Sequence, residues 1–228
     1  MKRFLTQPFA DALGALERGI GQGGAASLGW VALGCALSWW AYVPLHELMH
    51  AWGCQLAGGT VTRLDIAQGY GGSFLQKVFP YVRVGSDYAG QLTGFDTHGS
   101  DLTYAATVAF PYLLTLFPGV PLLVRTASRS HSSAGASFAL GAALPLAWAP
   151  FLSFGGDYYE LGSIAASRLA ELLAGVDGRG WRGDDVFLIA GRDGLRPGDV
   201  AGIAGSLLLG LLLAFATYAL GRRLARVR

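Results

Sequence analysis

"SLGWVALGCALSWWAYVPLHELMHAWG", residues 27–53, begins as one kind of sequence and ends as another. From Ser27 through Val43 it carries no charged side chain, and the whole stretch exceeds the roughly 20 residues that a helix needs to cross a bilayer. Then His46, Glu47 and His50 fall within five positions. Ionisable groups at membrane depth are costly and mark function when they occur. This stretch therefore predicts a membrane-crossing helix that carries a chemical site.

The rest of the chain agrees with the first half of that reading. Of 228 residues, 52% are hydrophobic and 14% charged, and the mean hydropathy is +0.41. Soluble domains carry about a quarter charged residues, so this chain is poorly equipped to face water on all sides. The net charge of +2, without a long basic run, gives no reason to expect a nucleic-acid partner. Cys35 and Cys54 both lie in or beside the first apolar run and do not form a disulfide framework.

Three further stretches have the length and polarity of membrane spans: 104–125, 134–154 and 199–221. The second and third contain prolines and are expected to be interrupted by them. In the fourth, Ala201 and Gly205 offer a small-xxx-small contact face. Ahead of the first span, Leu5, Phe9, Leu13, Leu16 and Ile20 recur at helical spacing, predicting an amphipathic helix on the membrane surface. No apolar core of signal-peptide type follows Lys2 and Arg3.

Two polar stretches, 58–103 and 155–198, separate the spans. "GGTVTRLDI" predicts a strand around 60–66, and "FLQKVFPYVRV" (74–84) a second one, confined to an edge by Pro80. Residues 161–176 read as a short amphipathic helix, and 177–199 as a Gly/Asp/Arg-rich loop. The expected architecture is an all-α membrane protein of about four transmembrane helices with a small β element after the first. An N-terminal segment (1–24) precedes a single membrane domain (25–221) and a basic tail (222–228). Four spans put both ends on one side, with nine of the seventeen basic residues, and the positive-inside rule favours the cytoplasm for them. With Lys2 and Lys77 the only lysines, the Ala-, Gly- and Arg-rich composition suits a GC-rich bacterial genome, hence a bacterial cytoplasmic membrane.

On a helix, His46 and His50 share a face one turn apart, with Glu47 beside them. This is H-E-x-x-H: two imidazoles for zinc and a glutamate as general base toward a metal-activated water. Pro44 is placed to bend the helix just before the motif. A catalytic zinc takes a third protein ligand. The metzincin extension matches through Gly53 and fails at Leu56, and no glutamate occurs between Glu47 and Glu160. The remaining candidates are Asp65, Asp87, Asp96, His98, Asp101, His131, Asp157 and Glu160. Cys54 continues the His face by one turn, where a small apolar side chain suits packing.

"HELMHAWGCQLAGGTVTRLDIAQGYGG" (46–72) resembles the site-2 protease family of intramembrane zinc metalloproteases. In that family the third ligand is an aspartate in a later span, usually within an Asn-x-x-Pro-x-x-x-x-Asp-Gly-like motif. Here "LPLAWAPFLSFGGDYYELG" supplies prolines 145 and 150 and then Gly155, Gly156 and Asp157. The asparagine is absent and the glycines precede the aspartate. The resemblance implies His46, His50 and Asp157 as zinc ligands, with Glu160 and His98 as alternatives for the third. It implies Glu47 as the catalytic base, and as substrate a membrane protein whose transmembrane helix is unwound and cut within the lipid bilayer. It also implies an active site toward the cytosol, the reverse of the orientation that the charge count favours. An exposed strand edge within 60–84 would hold the unwound segment by strand addition. Two other classes compete: a metal-binding membrane scaffold without peptidase activity, and a transporter built on proline-broken spans.

Overall fold

The computed structural model describes residues 2–86, 88–128, 133–183 and 185–227. Asp87 and His131, named above, lie outside them. The chain is mainly helical with one small sheet, and it divides into two compact units. One comprises Met1–Trp148 with Tyr218–Arg228, the other Ala149–Thr217.

Helix α1 runs from Lys2 to Leu56 and is helical through Pro8 and Pro44. Its one break in backbone conformation is at Gly24, with φ 61° and ψ −153°, values that a residue without a Cβ adopts readily. Before Gly24 the small residues Pro8, Ala12 and Ala15 are buried, while Leu5, Phe9 and Leu13 are 39%, 46% and 65% exposed. Leu5 and Leu13 of the apolar stripe thus face away from the protein, while the half-exposed Phe9 sets its ring edge against Trp148 at 5.1 Å.

Four helical segments are long and apolar enough to cross a membrane: Gly23–Leu56, Asp101–Ala127, Ala134–Ala174 and Pro197–Arg226. The second is irregular at Pro111 and Pro118, two of its three prolines, while Pro121 lies in the first turn of a regular helix. Helix α3 (Asp101–Ala109) gives way to a 3₁₀ turn at Phe110–Tyr112, a π-helical turn at Thr115–Gly119, and then α4 (Val120–Ser128). The third departs from expectation. Helix α5 (Ala134–Leu152) passes through Pro145 and Pro150 without interruption, and the break comes after it, at residues 153–156. A proline removes one backbone donor and crowds one carbonyl, which a helix inside a membrane protein tolerates.

Glycines set the α1–α5 crossing. A Cβ on Gly34 would sit 2.2 Å from the Phe138 carbonyl oxygen, and one on Gly141 would sit 2.0 Å from that of Val31. Ser38 donates to the Ala142 carbonyl across the same seam, at 2.8 Å.

Strand β1 (Thr60–Ile66) lies between β2 (Val82–Val84), parallel to it, and β3 (Gly90–Asp96), antiparallel. The first five residues of the second expected strand are helix instead. Residues Gly72–Val78 form α2, entered through Gly71 at φ 81°, and only Val82–Val84 pair, at the edge. Leu64, Ile66 and Val82 are fully buried against Leu48 and Ala51 of α1. The sheet therefore packs on the helix that carries the H-E-x-x-H motif.

In the second unit, α6 (Asp157–Ala174) begins four residues before the expected 161. The expected loop contains α7 (Val186–Ala190) and the start of α8 (Pro197–Val227). Helices α6 and α8 meet on glycine: a Cβ on Gly162 would reach the Ser206 carbonyl at 2.0 Å, and one on Gly210 that of Tyr158 at 2.2 Å. Trp181 closes on Gly202. The contact face is thus Gly202, Ser206 and Gly210. It is not Ala201 and Gly205: Ala201 is exposed and Gly205 has nothing within 4 Å of its Cβ position. Both registers carry small residues, but only the observed one continues to a third position, since Leu209 follows Ala201 and Gly205.

Candidate metal centre

The side chains of the motif diverge by position around α1. Leu48 and Ala51 turn to the sheet, while His46 and His50 turn the other way. Gly53 lets α3 approach: a Cβ there would lie 2.6 Å from Phe110 Cβ and 2.7 Å from the Ala106 carbonyl oxygen. That closeness brings the Thr107 carbonyl within 2.8 Å of His50 Nδ1.

A carbonyl oxygen only accepts, so the Nδ1 proton of His50 points at Thr107 and Nε2 carries the ring's lone pair. Tyr42, one turn before His46, places its hydroxyl 2.7 Å from His46 Nδ1. Each imidazole is thereby fixed through Nδ1. The two Nε2 atoms face each other at 3.0 Å, with ring planes at 87°. Two nitrogens about 2.0–2.1 Å from one tetrahedral zinc would stand about 3.3 Å apart. Among the described residues, His46, Glu47 and His50 form the one group whose ligand atoms all lie within 4.8 Å of one another. His50 is buried at 8% exposure.

Glu47 projects toward the sheet. A Cβ on Gly90, the first residue of β3, would lie 2.5 Å from Glu47 Cγ, so the bare glycine backbone makes room for the carboxylate arm. Since the strand order is β2-β1-β3, β3 is an edge, with β1 on one side only. Of the 60–84 range expected to hold an exposed edge, β1 is the middle strand and only β2 is an edge. The edges are 82–84 and 90–96.

Several of the possible third ligands are committed elsewhere. Asp65 is buried in β1 and accepts from Arg63 Nε at 2.9 and 3.0 Å and from Thr93 Oγ1 at 2.7 Å. Asp96 ends β3 and pairs with the exposed His98 at 3.3 Å. Asp101 opens α3. Cys54 is buried with its thiol toward the carbonyls of Thr60 and Asp96, at 3.7 and 3.9 Å. Asp157 and Glu160 stand in the first turn of α6, which follows the break at 153–156. Both belong to the second unit.

Compared with family models, with curated proteins and with solved structures, the chain matches none.

The tyrosine, Gly90 and the Thr107 carbonyl escaped the reading of the sequence. Tyr42 had a signal, since it shares the 46–50 face at the same four-residue spacing. The other two depend on tertiary contacts.

Proposed function

We propose that this chain is a multi-pass membrane protein and a zinc metalloendopeptidase acting on membrane-embedded segments of other proteins. One observation carries the proposal: two imidazoles, each pinned at Nδ1, present facing Nε2 atoms 3.0 Å apart beside a glutamate, on a helix apolar enough to cross a bilayer. The donor set suits zinc, and the Nδ1 contacts are the outer partners that orient metal-binding histidines. The resemblance of residues 46–72 to the site-2 protease family supports the same reading.

On this proposal His46 and His50 are two ligands, and the resemblance implies Asp157 as the third. A zinc ion held there would polarise a scissile carbonyl and acidify a water. Glu47 would serve as the general base toward such a water and as the acid toward the leaving amine. The free edge of β3, which starts at Gly90 beside Glu47, holds the substrate in extended form by strand addition. Extension exposes a peptide bond that a helix would shield.

The test is zinc per chain on detergent-purified protein, together with cleavage of a transmembrane substrate. The unmodified protein holds about one zinc, and His46→Ala and Asp157→Ala each lose most of it. Glu47→Gln keeps the metal and loses at least about a hundredfold in turnover. Zinc retained by Asp157→Ala would move the third ligand to Glu160 or His98. Absence of zinc from the metal-replete protein would refute the proposal. Zinc binding with no effect of Glu47→Gln on any cleavage would leave a scaffold instead of an enzyme.

A further inference from the structure

The first turns of α1 and the last turns of α8 lie side by side and antiparallel. Asp11 is the link between them. Its carboxylate accepts from Gln7 Nε2 at 2.8 Å and from the Tyr218 hydroxyl at 2.9 Å, and it pairs with Arg222 Nε at 3.0 Å. Beside this knot is a cleft of about 200 Å³ lined by Arg3, Arg222, Arg223 and Arg226, with Phe4 and Gln7.

The charges in this cleft do not balance. Asp11 answers Arg222, but among the described residues Arg3, Arg223 and Arg226 enter no ion pair. Guanidiniums brought together from segments two hundred residues apart repel one another unless an anion joins them. Arginine also presents the forked donors that fit phosphate oxygens.

The surroundings name the anion. Leu5, Phe9 and Leu13 on α1 and Leu220 on α8 are 39% to 65% exposed beside the cluster. The arginines follow directly on the apolar run of α8. A ligand that satisfies both features has a negatively charged head and hydrocarbon tails.

We propose that the residue 3–7 and 218–226 segments form a binding site for the phosphate headgroup of an anionic phospholipid. The guanidiniums hold the phosphate, and the acyl chains lie along Leu5, Phe9, Leu13 and Leu220. The site rests on the chain being membrane-embedded, and it is independent of whether the chain is a peptidase.

Native mass spectrometry of the full chain in detergent, titrated with phosphatidylglycerol, phosphatidylcholine or inorganic phosphate, tests it. Phosphatidylglycerol is retained in preference to phosphatidylcholine. The triple variant Arg3→Gln, Arg223→Gln, Arg226→Gln, which keeps the Asp11 contacts, weakens that retention by at least about tenfold, as expected for several basic groups at a membrane surface. Should the triple variant fold poorly, Arg223→Gln alone still lowers retention severalfold. Equal retention of the two lipids, or undiminished phosphatidylglycerol binding by the variants, overturns the proposal. So does inorganic phosphate binding as tightly as the lipid, which would make the cleft a site for free anions.

Discussion

At the scale of single residues, a metal centre depends on more than its ligands. Tyr42 and the Thr107 carbonyl fix the Nδ1 sides of His46 and His50, and so determine which nitrogens face each other. Tyr42→Phe removes the first of these anchors and keeps the ring volume. Zinc affinity should fall about tenfold or more, measured by competition with a chromophoric chelator. Unchanged affinity would mean that the hydroxyl only fills space. His46, Glu47 and His50 were legible in the sequence because one helix fixes their spacing. The Thr107 contact was not, because a backbone carbonyl has no letter of its own.

At the scale of elements, glycine decides how closely helices approach. Gly53 admits α3 to the face of α1 that carries the histidines. Gly53→Ala would drive a methyl group into the Ala106 carbonyl and Phe110, so α3 must move and take Thr107 with it. Overpacking of this kind costs about 1–3 kcal/mol. The expected result is a lower unfolding temperature and weaker zinc binding. Gly29→Ala, on the same helix with nothing within 4 Å of the new methyl, serves as the control and should match the unmodified protein. The long apolar helices were readable as composition, whatever their packing. The sheet was readable only in part. "GQLTGFD" (90–96) has too few β-favouring residues to announce β3, and the apolar residues of 74–78 fit a strand pattern as well as the short helix that forms. Strand order, which makes 90–96 an edge, is a property of the assembled sheet.

At the scale of the whole molecule, four apolar helices and a 14% charged composition make a clear expectation about solvent. Isolated membranes washed with alkaline carbonate should retain the chain, and detergent should release it. Release by carbonate alone would show that the apolar faces pack against protein and not lipid. The link at Asp11 has a consequence in time. Tyr218 is 207 positions further along the chain than its partner. At about 5–20 residues per second of synthesis, Asp11 waits roughly ten to forty seconds for the hydroxyl and guanidinium that receive it. During that interval the nascent chain carries Asp11 without the hydroxyl and guanidinium that answer it in the finished fold.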